Sequence, residues 1–371
     1  MKITIAGAGI GGLAAAIALR QDGHEITVGE RAPEITEVGA GIQISPNGMA
    51  VMRALGLEEA LAAKSVRAEA VELMDGLSGR AVTALNLKRD ASDLYWILVH
   101  RADLIDVLLT AARDAGVRID TGREIDPPED GAALPGDDLL IGADGLRSKM
   151  RAVLLDQDTP FFTGQVAWRA VIDDPDAAPV VEVHMGPGRH LVSYPLTNGR
   201  RNIVAVEERS EWAEEGWSHT DDPANLRAAF AEFSPRVKDW LEAVEVLNIW
   251  GLFRHPVANR WHSAQQVMLG DAAHPTLPFL AQGANLALED TAVLARVIKT
   301  GGDLQRYQTL RQMRVRRVVD AASANARNYH LSGVKRIIAH TLLRVAGSVA
   351  PKAPLQRFDW LYRFDATQER H

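Results

Sequence analysis

The 371 residues of the chain, 47% of them apolar, predict a globular protein with two domains or one large one. A formal net charge of −7 argues against a general nucleic-acid binder, because neutralising phosphates requires concentrated Lys and Arg. The chain contains no cysteine, which excludes disulfides, thiolate chemistry and cysteine-based metal sites. No apolar targeting or membrane-spanning segment is evident in the sequence, so we expect a cytoplasmic protein without a membrane partner.

The first thirty residues predict a strand, a glycine turn, a helix and a second strand that ends at Glu30. Short apolar runs return at residues 139–141 and 267–269, and each leads into a turn that contains glycine and aspartate. We expect these distant strands to share one sheet with the first. Helices are predicted over residues 13–20, 46–55, 101–115, 225–241, 283–300 and 303–328.

The middle of the chain has a different pattern. Residues 122–138 are acidic and rich in Pro and Gly, which predicts a surface loop. Successive β runs then follow, with Gly-Pro-Gly and Asn-Gly turns between two pairs of them. This shift predicts a second, sheet-based domain inserted into the first. Its predicted strands cover residues 166–172, 180–185, 190–196, 203–208 and 244–253.

Gly7, Gly9 and Gly12 form a G-x-G-x-x-G pattern between a strand and a helix. In such a pattern the first glycine allows a tight turn, the second lets the backbone approach a pyrophosphate, and the third permits close helix packing. The helix N-terminus attracts phosphates, and Glu30 could accept hydrogen bonds from ribose hydroxyls. The pattern predicts a dinucleotide site, with a glycine turn of some other α/β protein as the alternative.

Two aspartates follow the other predicted strands, Asp144 near the middle of the chain and Asp271 in its last third. A cofactor that touches all three places must be long, and FAD, with adenine, two phosphates, a ribityl chain and a flavin ring, is the best candidate. Each residue also has a structural explanation. Asp144 could cap the helix near Arg147, Asp271 could belong to an ordinary turn, and Arg101 could be a surface residue at a helix start.

The chain resembles the FAD-dependent aromatic hydroxylases, the group A flavin monooxygenases, and is most similar to the salicylate hydroxylase and 3-hydroxybenzoate 6-hydroxylase branch. The resemblance extends over nearly the whole chain. Its matching segments are, in order, GAGIGGLAAAIAL, ITVGERA, GAGIQISPNG, HRADL, GADGLRS, WRAV, YPL, GDAAHPTLPFLAQGANLALED and FDWLYRFDA.

The resemblance implies an α/β fold, in which a Rossmann-like FAD-binding domain carries an inserted, mainly β substrate domain of α+β type, followed by C-terminal helices. We therefore expect a discontinuous FAD-binding domain. The predicted boundaries are residues 1–75, 98–160 and 258–330 for the FAD-binding domain, 76–97 and 161–257 for the substrate domain, and 331–371 for the C-terminal helical segment.

Carried over to the matching positions, the resemblance implies contacts with FAD. Arg101 would contact the central portion of FAD, Asp144 would serve both FAD and the pyridine nucleotide, and Asp271 would bind the ribityl region. Backbone N–H groups at a helix start would stabilise the negative charge of reduced flavin near N1 and O2. The implied cofactor set is Gly7, Gly9, Gly12, Glu30, Arg31, Arg101, Asp144, Asp271, Gly283, Ala284 and Asn285.

The resemblance also implies the reaction. NADH or NADPH would bind transiently, reduce the flavin and leave, and O2 would then form a flavin C4a-hydroperoxide. That species would deliver one oxygen atom to a small, hydroxybenzoate-like aromatic substrate. Two alternatives stay open: a flavin oxidoreductase or oxidase without oxygen insertion, and a flavin-binding protein with little catalysis. Homodimer formation is an expectation from the resemblance alone.

The substrate site should lie between the β domain and the flavin ring. The candidate catalytic residues are Pro275, against the flavin, and Gln282 or His184, which would orient the substrate hydroxyl. Members of the family use a histidine on the sheet as phenol base, and the sequence leaves its identity open. His190 and Arg169 are further polar candidates, and each polar candidate could equally be structural. The expected substrate lining is Tyr194, Val206, Trp217, Pro278 and Phe279.

Two other groups of residues receive no role in the chemistry. The histidines later in the chain show no ligand spacing with a carboxylate, so no metal site is expected. A basic cluster on the second long C-terminal helix is predicted to be solvated or dimer-facing surface. The cluster consists of Arg311, Arg314, Arg316 and Arg317.

Overall fold

A parallel sheet combines strands from the beginning, middle and end of the chain. The computed structural model describes residues 1–35, 40–155, 159–210, 219–350 and 352–368. The strands are β1 (Lys2–Ala6), β2 (Glu25–Glu30), β3 (Gly41–Ile44), β4 (Ser65–Arg67), β5 (Ala70–Asp75), β6 (Ala81–Asn86), β7 (Ile97–His100), β8 (Arg118–Thr121), β9 (Leu139–Gly142), β10 (Phe161–Asp173), β11 (Val180–Gly186), β12 (Arg189–Leu196), β13 (Arg200–Glu208), β14 (His219–Thr220), β15 (Asn248–Arg254) and β16 (Gln266–Met268).

Helices pack around this sheet, with α1 against both α5 and α9. The strands of a parallel sheet that is covered by helices are apolar on both faces, as the buried residues of β1 and β9 are, with the exception of Thr4. The helices are α1 (Ile10–Gln21), α2 (Pro46–Ala54), α3 (Glu58–Ala62), α4 (Leu87–Asp90), α5 (Arg101–Asp114), α6 (Lys149–Leu155), α7 (Pro223–Ala229), α8 (Pro235–Glu242), α9 (Gly283–Lys299), α10 (Leu304–Tyr329), α11 (Gly333–Val349), α12 (Ala353–Gln356) and α13 (Asp359–Tyr362).

The parallel sheet has the strand order β16-β9-β1-β2-β8. The prediction that the strands near residues 3, 140 and 267 share one sheet is therefore confirmed. Because parallel strands end at the same edge, the turns after β1, β9 and β16 meet there. This edge brings together the three segments that were expected to touch one cofactor.

A second, larger sheet has the order β14-β15-β10-β13-β12-β11-β5-β6, and a small third sheet has the order β3-β7-β4. The boundary expected at residue 75 does not match the strand pairing. Strand β5, which that boundary assigns to the FAD-binding part, pairs in parallel with β11 in the large sheet. The two strands are separated by more than a hundred residues, so no local sequence pattern could reveal their pairing.

The large sheet buries both of its faces. Its outer face, which carries Trp168, Leu191 and Ala205, packs against the helices α7 and α8. Its inner face, which carries Ala167 and Val206, packs against a loop between β16 and α9 and against α10. The inner face is therefore the surface of the large sheet that is directed toward the start of α9.

The helix predicted over residues 225–241 is two helices, α7 and α8. The interruption precedes Pro235, because proline lacks an amide hydrogen and disfavours helical geometry at the residue before it. At the C-terminus, α11 packs on β6, and His340 and Arg336 bind the carboxylate of Asp75 at 2.9 and 2.5 Å. Among the helices of the described segments, none has the length and apolar character needed to cross a bilayer.

Candidate active site

The glycine turn after β1 has the geometry that its pattern predicts. Gly7 has a φ of +100°, and a Cβ there would lie 2.5 Å from the carbonyl oxygen of Ala143. A Cβ at Gly12 would lie 2.0 Å from the carbonyl oxygen of Gly7, so only glycine allows α1 to approach the turn. A Cβ at Gly9, the N-cap of α1, would have no described atom within 4 Å. Gly9 therefore borders open space at a helix N-terminus, where a pyrophosphate can bind.

Glu30, the last residue of β2, lies beside this turn. Its Oε2 accepts a hydrogen bond from the Ala8 N–H at 2.8 Å, and its Oε1 accepts one from the Ala32 N–H at 2.9 Å. Each carboxylate oxygen has a second lone pair that can accept from a ribose hydroxyl. Arg31 follows Glu30 and is exposed, which places it at the rim of the site.

Asp144, two residues after the end of β9, uses one carboxylate oxygen to cap a helix and leaves the other available for the predicted cofactor contact. Its Oδ2 accepts from the N–H groups of Lys149 and Met150 at 2.8 and 3.3 Å and so caps α6. Its Oδ1 is buried and has no hydrogen-bond partner among the described residues. Burial raises the pKa of this carboxyl. An uncompensated buried oxygen costs free energy unless a ligand donates to it, so the atom fits a cofactor hydroxyl.

Asp271 follows β16 in a short 3-10 turn and remains exposed to solvent. Protein packed around the residue nevertheless desolvates its carboxyl and raises the pKa, while the positive charges of His274 and Arg101 lower it. An exposed carboxylate that neighbouring protein atoms partly desolvate can hydrogen-bond a ligand that covers it. Arg101, the first residue of α5, is near enough to Asp271 for the two charges to interact.

The start of α9 is fixed by buried side chains. Asn285 accepts at Oδ1 from the Ser45 N–H at 3.0 Å, and its Nδ2 donates to the carbonyl oxygen of Ala281 at 2.7 Å. Because this amide is used inside the protein, only the backbone of Asn285 could serve the flavin. Gly283 and Ala284, which precede it in the first turn, are half-buried. The N–H groups of this turn form an anion-stabilising helix N-terminus.

Gln282 belongs to the same buried network. Its Nε2 donates to the hydroxyl of Ser45 at 3.0 Å, and its Oε1 accepts from Nδ2 of Asn47 at 3.0 Å. The side chain is fully buried, with both ends engaged. This placement does not fit the predicted role of Gln282 in orienting a substrate hydroxyl, and it makes the residue a support for the turn before α9.

A buried ion network under the turn after β16 was not predicted. Asp290 on α9 binds His274 at 2.5 Å and Arg311 at 2.7 Å, and Arg311 also binds Glu289 at 2.6 Å. The prediction of a solvated arginine cluster is wrong for Arg311, which is fully buried, and for Arg314, which binds Glu289 at 2.6 Å. Paired buried charges hold α9 and α10 together because removing either partner would leave the other uncompensated.

The inner face of the large sheet presents a row of directly paired residues, which runs from Trp250 through Ala167 and Val206 to His190. Paired residues of neighbouring antiparallel strands lie on the same face. The buried ring of His190 is 5.2 Å from that of Phe279, in the loop that leads to α9. His190 is therefore the histidine that the sheet directs toward the loop before α9.

His184 lies on the outer face, a position that does not support its predicted role as a catalytic residue. It pairs with Leu191, its ring contacts that of Trp240 on α8 at 5.5 Å, and its Nε2 is 3.2 Å from Glu182. The register of the hairpin between β11 and β12 directs His184 and His190 to opposite faces. The Gly-Pro-Gly turn that sets this register is visible in the sequence and could have separated the two histidines.

A second row on the inner face contains Arg169, which pairs with Val204. The guanidinium of Arg169 lies over the ring of Trp250, 4.4 Å from its centroid. Tyr194 lies further along β12 and is buried, and burial raises the pKa of its hydroxyl far enough to keep it protonated. Arg169 and Tyr194 thus bring a cation and a neutral hydroxyl donor to the apolar inner face.

The remaining predicted substrate residues are placed as follows. Val206 and Phe279 are buried together at the inner face, and Pro278 is half-buried in the same loop as Phe279. Pro275 is buried in the segment between β16 and that loop. Trp217 lies outside the described residues.

Comparison with known proteins identifies the family to which the chain belongs. Residues 1–134 and 136–322 match the family described as "FAD binding domain". The chain is 35% identical to 3-amino-4-hydroxybenzoate 2-monooxygenase of Streptomyces cremeus, over 89% of this chain and 88% of that protein. It is 30% identical to 3-hydroxybenzoate 6-hydroxylase of Polaromonas naphthalenivorans (strain CJ2), over 98% and 96%.

A solved structure supports the same conclusion. Klebsiella pneumoniae HpxO complexed with FAD and uric acid has a TM-score of 0.80 at 27% identity, over 94% of both chains. The match confirms the α/β fold class, and the glycine turn, the orphaned oxygen of Asp144 and the exposed carboxylate of Asp271 fit FAD. The chain belongs to the FAD-binding-domain family and, within it, to the FAD-dependent aromatic monooxygenases.

Proposed function

We propose that this enzyme hydroxylates a small aromatic acid that carries a ring hydroxyl, such as a hydroxybenzoate, with NADH or NADPH as reductant and O2 as co-substrate. The observation that carries the proposal is the position of His190 and Arg169 on one inner face of the large sheet, the face that packs against the loop before α9. The imidazole of His190 can take a proton, and the guanidinium of Arg169 can bind a carboxylate. The names of the hydroxybenzoate-acting relatives support the same substrate class.

FAD would be held by Gly9, Glu30, Asp144, Asp271 and the N–H groups at the start of α9. When bound, the reduced cofactor supplies the chemistry that activates oxygen and transfers one of its atoms. The protein's own tasks are to place the ring, to remove the proton of the ring hydroxyl and to exclude water. Homodimer formation and a cytoplasmic location stay predictions.

His190 is the base of this proposal. Burial and, secondly, the neighbouring His330 lower the pKa of His190 well below its ordinary value, so the ring is neutral at pH 7 and can accept a proton. Removing the hydroxyl proton makes the aromatic ring more electron-rich at the positions where oxygen is inserted. Pro275 and Phe279 belong to the apolar segment that would close the site from the other side.

In this proposal, Arg169 binds the carboxylate of the substrate. The backbone of Arg169 lies two strands from that of His190, about 10 Å across the sheet, and its guanidinium lies over Trp250 on the far side of β10. A substrate that binds both groups must therefore extend across the inner face. Stacking on Trp250 holds the guanidinium plane in one orientation. Tyr194, on the same β strand as His190, can donate a further hydrogen bond.

The substrate class can be tested by ligand titration of the FAD-loaded protein, followed through the flavin absorbance. Replacing Arg169 with methionine should weaken hydroxybenzoate binding about 10- to 100-fold, because a charged hydrogen bond contributes about 1.5–3 kcal/mol. Binding of the corresponding phenol without a carboxylate should stay unchanged. Arg209→Met is the matched control, since Arg209 stacks on Trp168 at the outer face. Equal weakening of both ligands, or no hydroxybenzoate binding to the wild type, would refute the proposal.

A further inference from the structure

A line of hydrogen-bonded side chains connects the inner face of the large sheet with solvent. Nδ1 of His190 is 2.7 Å from Nε2 of His330, and Nδ1 of His330 is 2.7 Å from Oε1 of Glu208. Both histidines are buried, whereas the side chain of Glu208 is 54% exposed. The two bonds therefore join a buried base to a surface carboxylate without a gap.

The backbone fixes these three residues relative to one another. His330 is the C-cap of α10, and its carbonyl oxygen accepts from the Gly188 N–H at 3.2 Å. The carbonyl oxygen of Gly188 accepts in turn from the Glu208 N–H at 2.9 Å. The end of α10, the turn between β11 and β12 and the end of β13 are thereby tied together, which holds the backbones from which His330 and Glu208 extend at a fixed separation.

The bonding pattern determines where the protons are. The Glu208 carboxylate can only accept, so Nδ1 of His330 carries a hydrogen. Burial lowers the pKa of His330, although the Glu208 charge raises it, and burial lowers that of His190 as well. With both rings neutral, Nε2 of His330 is an acceptor and Nδ1 of His190 is the donor to it. The nitrogen of His190 with a free lone pair is then Nε2, which is the atom that a substrate hydroxyl would meet.

We propose that His330 and Glu208 form a proton relay that conducts the proton of the substrate hydroxyl from His190 to solvent. The relay rests on the proposed function, in which His190 receives that proton. The substrate O–H bond breaks as an N–H bond forms at Nε2 of His190, and the hydrogen on Nδ1 moves to Nε2 of His330. The hydrogen on Nδ1 of His330 then moves to Glu208, which releases it to water.

The relay leaves both rings neutral and in the opposite tautomer, with the negative charge on the substrate oxygen. Passage of one proton in the reverse direction, when the product oxygen is reprotonated, restores the starting tautomers. No electron leaves or enters the line in either direction. The relay therefore needs no reactant other than the substrate and water.

The surroundings favour conduction over storage of the proton. The positive charge of Arg189 lowers the pKa of His330, and Arg189 itself interacts with Glu207. The other groups that contact His190 are the neutral rings of Tyr329, at 5.3 Å, and Phe279. An extra proton on either histidine is thus disfavoured. Glu208 is in contact with water and can release the proton to it.

The test uses the full-length FAD-loaded enzyme and Glu208→Gln, which keeps an oxygen that can accept from His330 but cannot take up a proton. The readout is the ultraviolet change that accompanies ionisation of a bound hydroxybenzoate in stopped-flow mixing. We expect ionisation to slow at least about tenfold in Glu208→Gln and in His330→Asn, with an enlarged solvent deuterium effect. Small buffer bases should restore part of the rate in Glu208→Gln. Glu207→Gln, one residue away, is the matched control and should ionise the ligand at the wild-type rate.

In one contrary outcome, Glu208→Gln and His330→Asn differ from the wild type only in a lowered melting temperature, with unchanged ionisation rates. That result would show that His330 and Glu208 only stabilise the fold. It would overturn the relay and leave the proposed function intact. If the wild type binds hydroxybenzoates but never ionises them, the role of His190 fails, and the relay fails with it. Hydroxylation by the wild type, measured separately by product mass, distinguishes these two failures.

Discussion

Replacing Gly9 with glutamate is expected to give a folded protein that purifies without FAD. Gly9 has a φ of −76° and a ψ of −175°, so a side chain there causes no backbone strain, and its Cβ meets no described atom within 4 Å. The added carboxylate would occupy the pyrophosphate position at the N-terminus of α1. A like-charge contact at about 4 Å costs about 4 kcal/mol at an effective dielectric of 20, so FAD binding should weaken about a thousandfold.

The measurement is the ratio of flavin absorbance to protein absorbance after purification, with circular dichroism as the check on folding. Gly12→Ala is the contrasting variant, because its Cβ would lie 2.0 Å from a backbone oxygen. That variant should lose FAD together with thermal stability, whereas Gly9→Glu should lose only FAD. A yellow Gly9→Glu protein would refute the placement of the pyrophosphate.

Replacing His190 with asparagine should lower kcat for a hydroxybenzoate by about 10²- to 10⁴-fold at pH 7, with little change in KM. Without the base, only ionised ligand reacts, so the variant's rate should rise about tenfold per pH unit below the phenol's pKa of about 10. The wild type should show no such slope. Burial lowers the pKa of His190, so the wild-type rate should be flat above about pH 6.5 and fall only toward acid.

The matched control is His184→Asn, since His184 lies on the outer face of the same sheet. It should keep kcat and its pH profile even if its loss of contact with Glu182 lowers stability. The pH profiles of both variants, measured with the same substrate, check the assignment. A flat profile for His190→Asn, or a steep one for His184→Asn, would contradict it.

The cofactor half of the site could be predicted from the sequence because its signals are local. A glycine spacing, a strand before it and an acid at the end of the next strand are each encoded within about thirty residues. Asp144 and Asp271 each follow an apolar strand, and the strand ends of a parallel sheet meet at one edge. The structure places all of these residues at that edge.

The substrate half could be predicted only in part, because it depends on register and on contacts between distant segments. His184 and His190 are both strand histidines, and they face opposite ways because of the hairpin register between β11 and β12, which the sequence indicates only through the turn at residues 186–188. His330 was missed because nothing near the end of a long helix indicates that it contacts β12. Arg311 was predicted to be surface, since its buried carboxylate partners lie on another helix.

The most direct test of the oxygen-inserting reaction is oxygen uptake by the FAD-loaded protein, with NADH or NADPH and a panel of hydroxybenzoates, in the presence and absence of catalase. We predict ligand-stimulated uptake that catalase does not change and a product heavier by one oxygen atom, labelled when ¹⁸O2 is supplied. Uptake halved by catalase, with the aromatic compound recovered unchanged, would contradict oxygen insertion and identify an oxidase reaction.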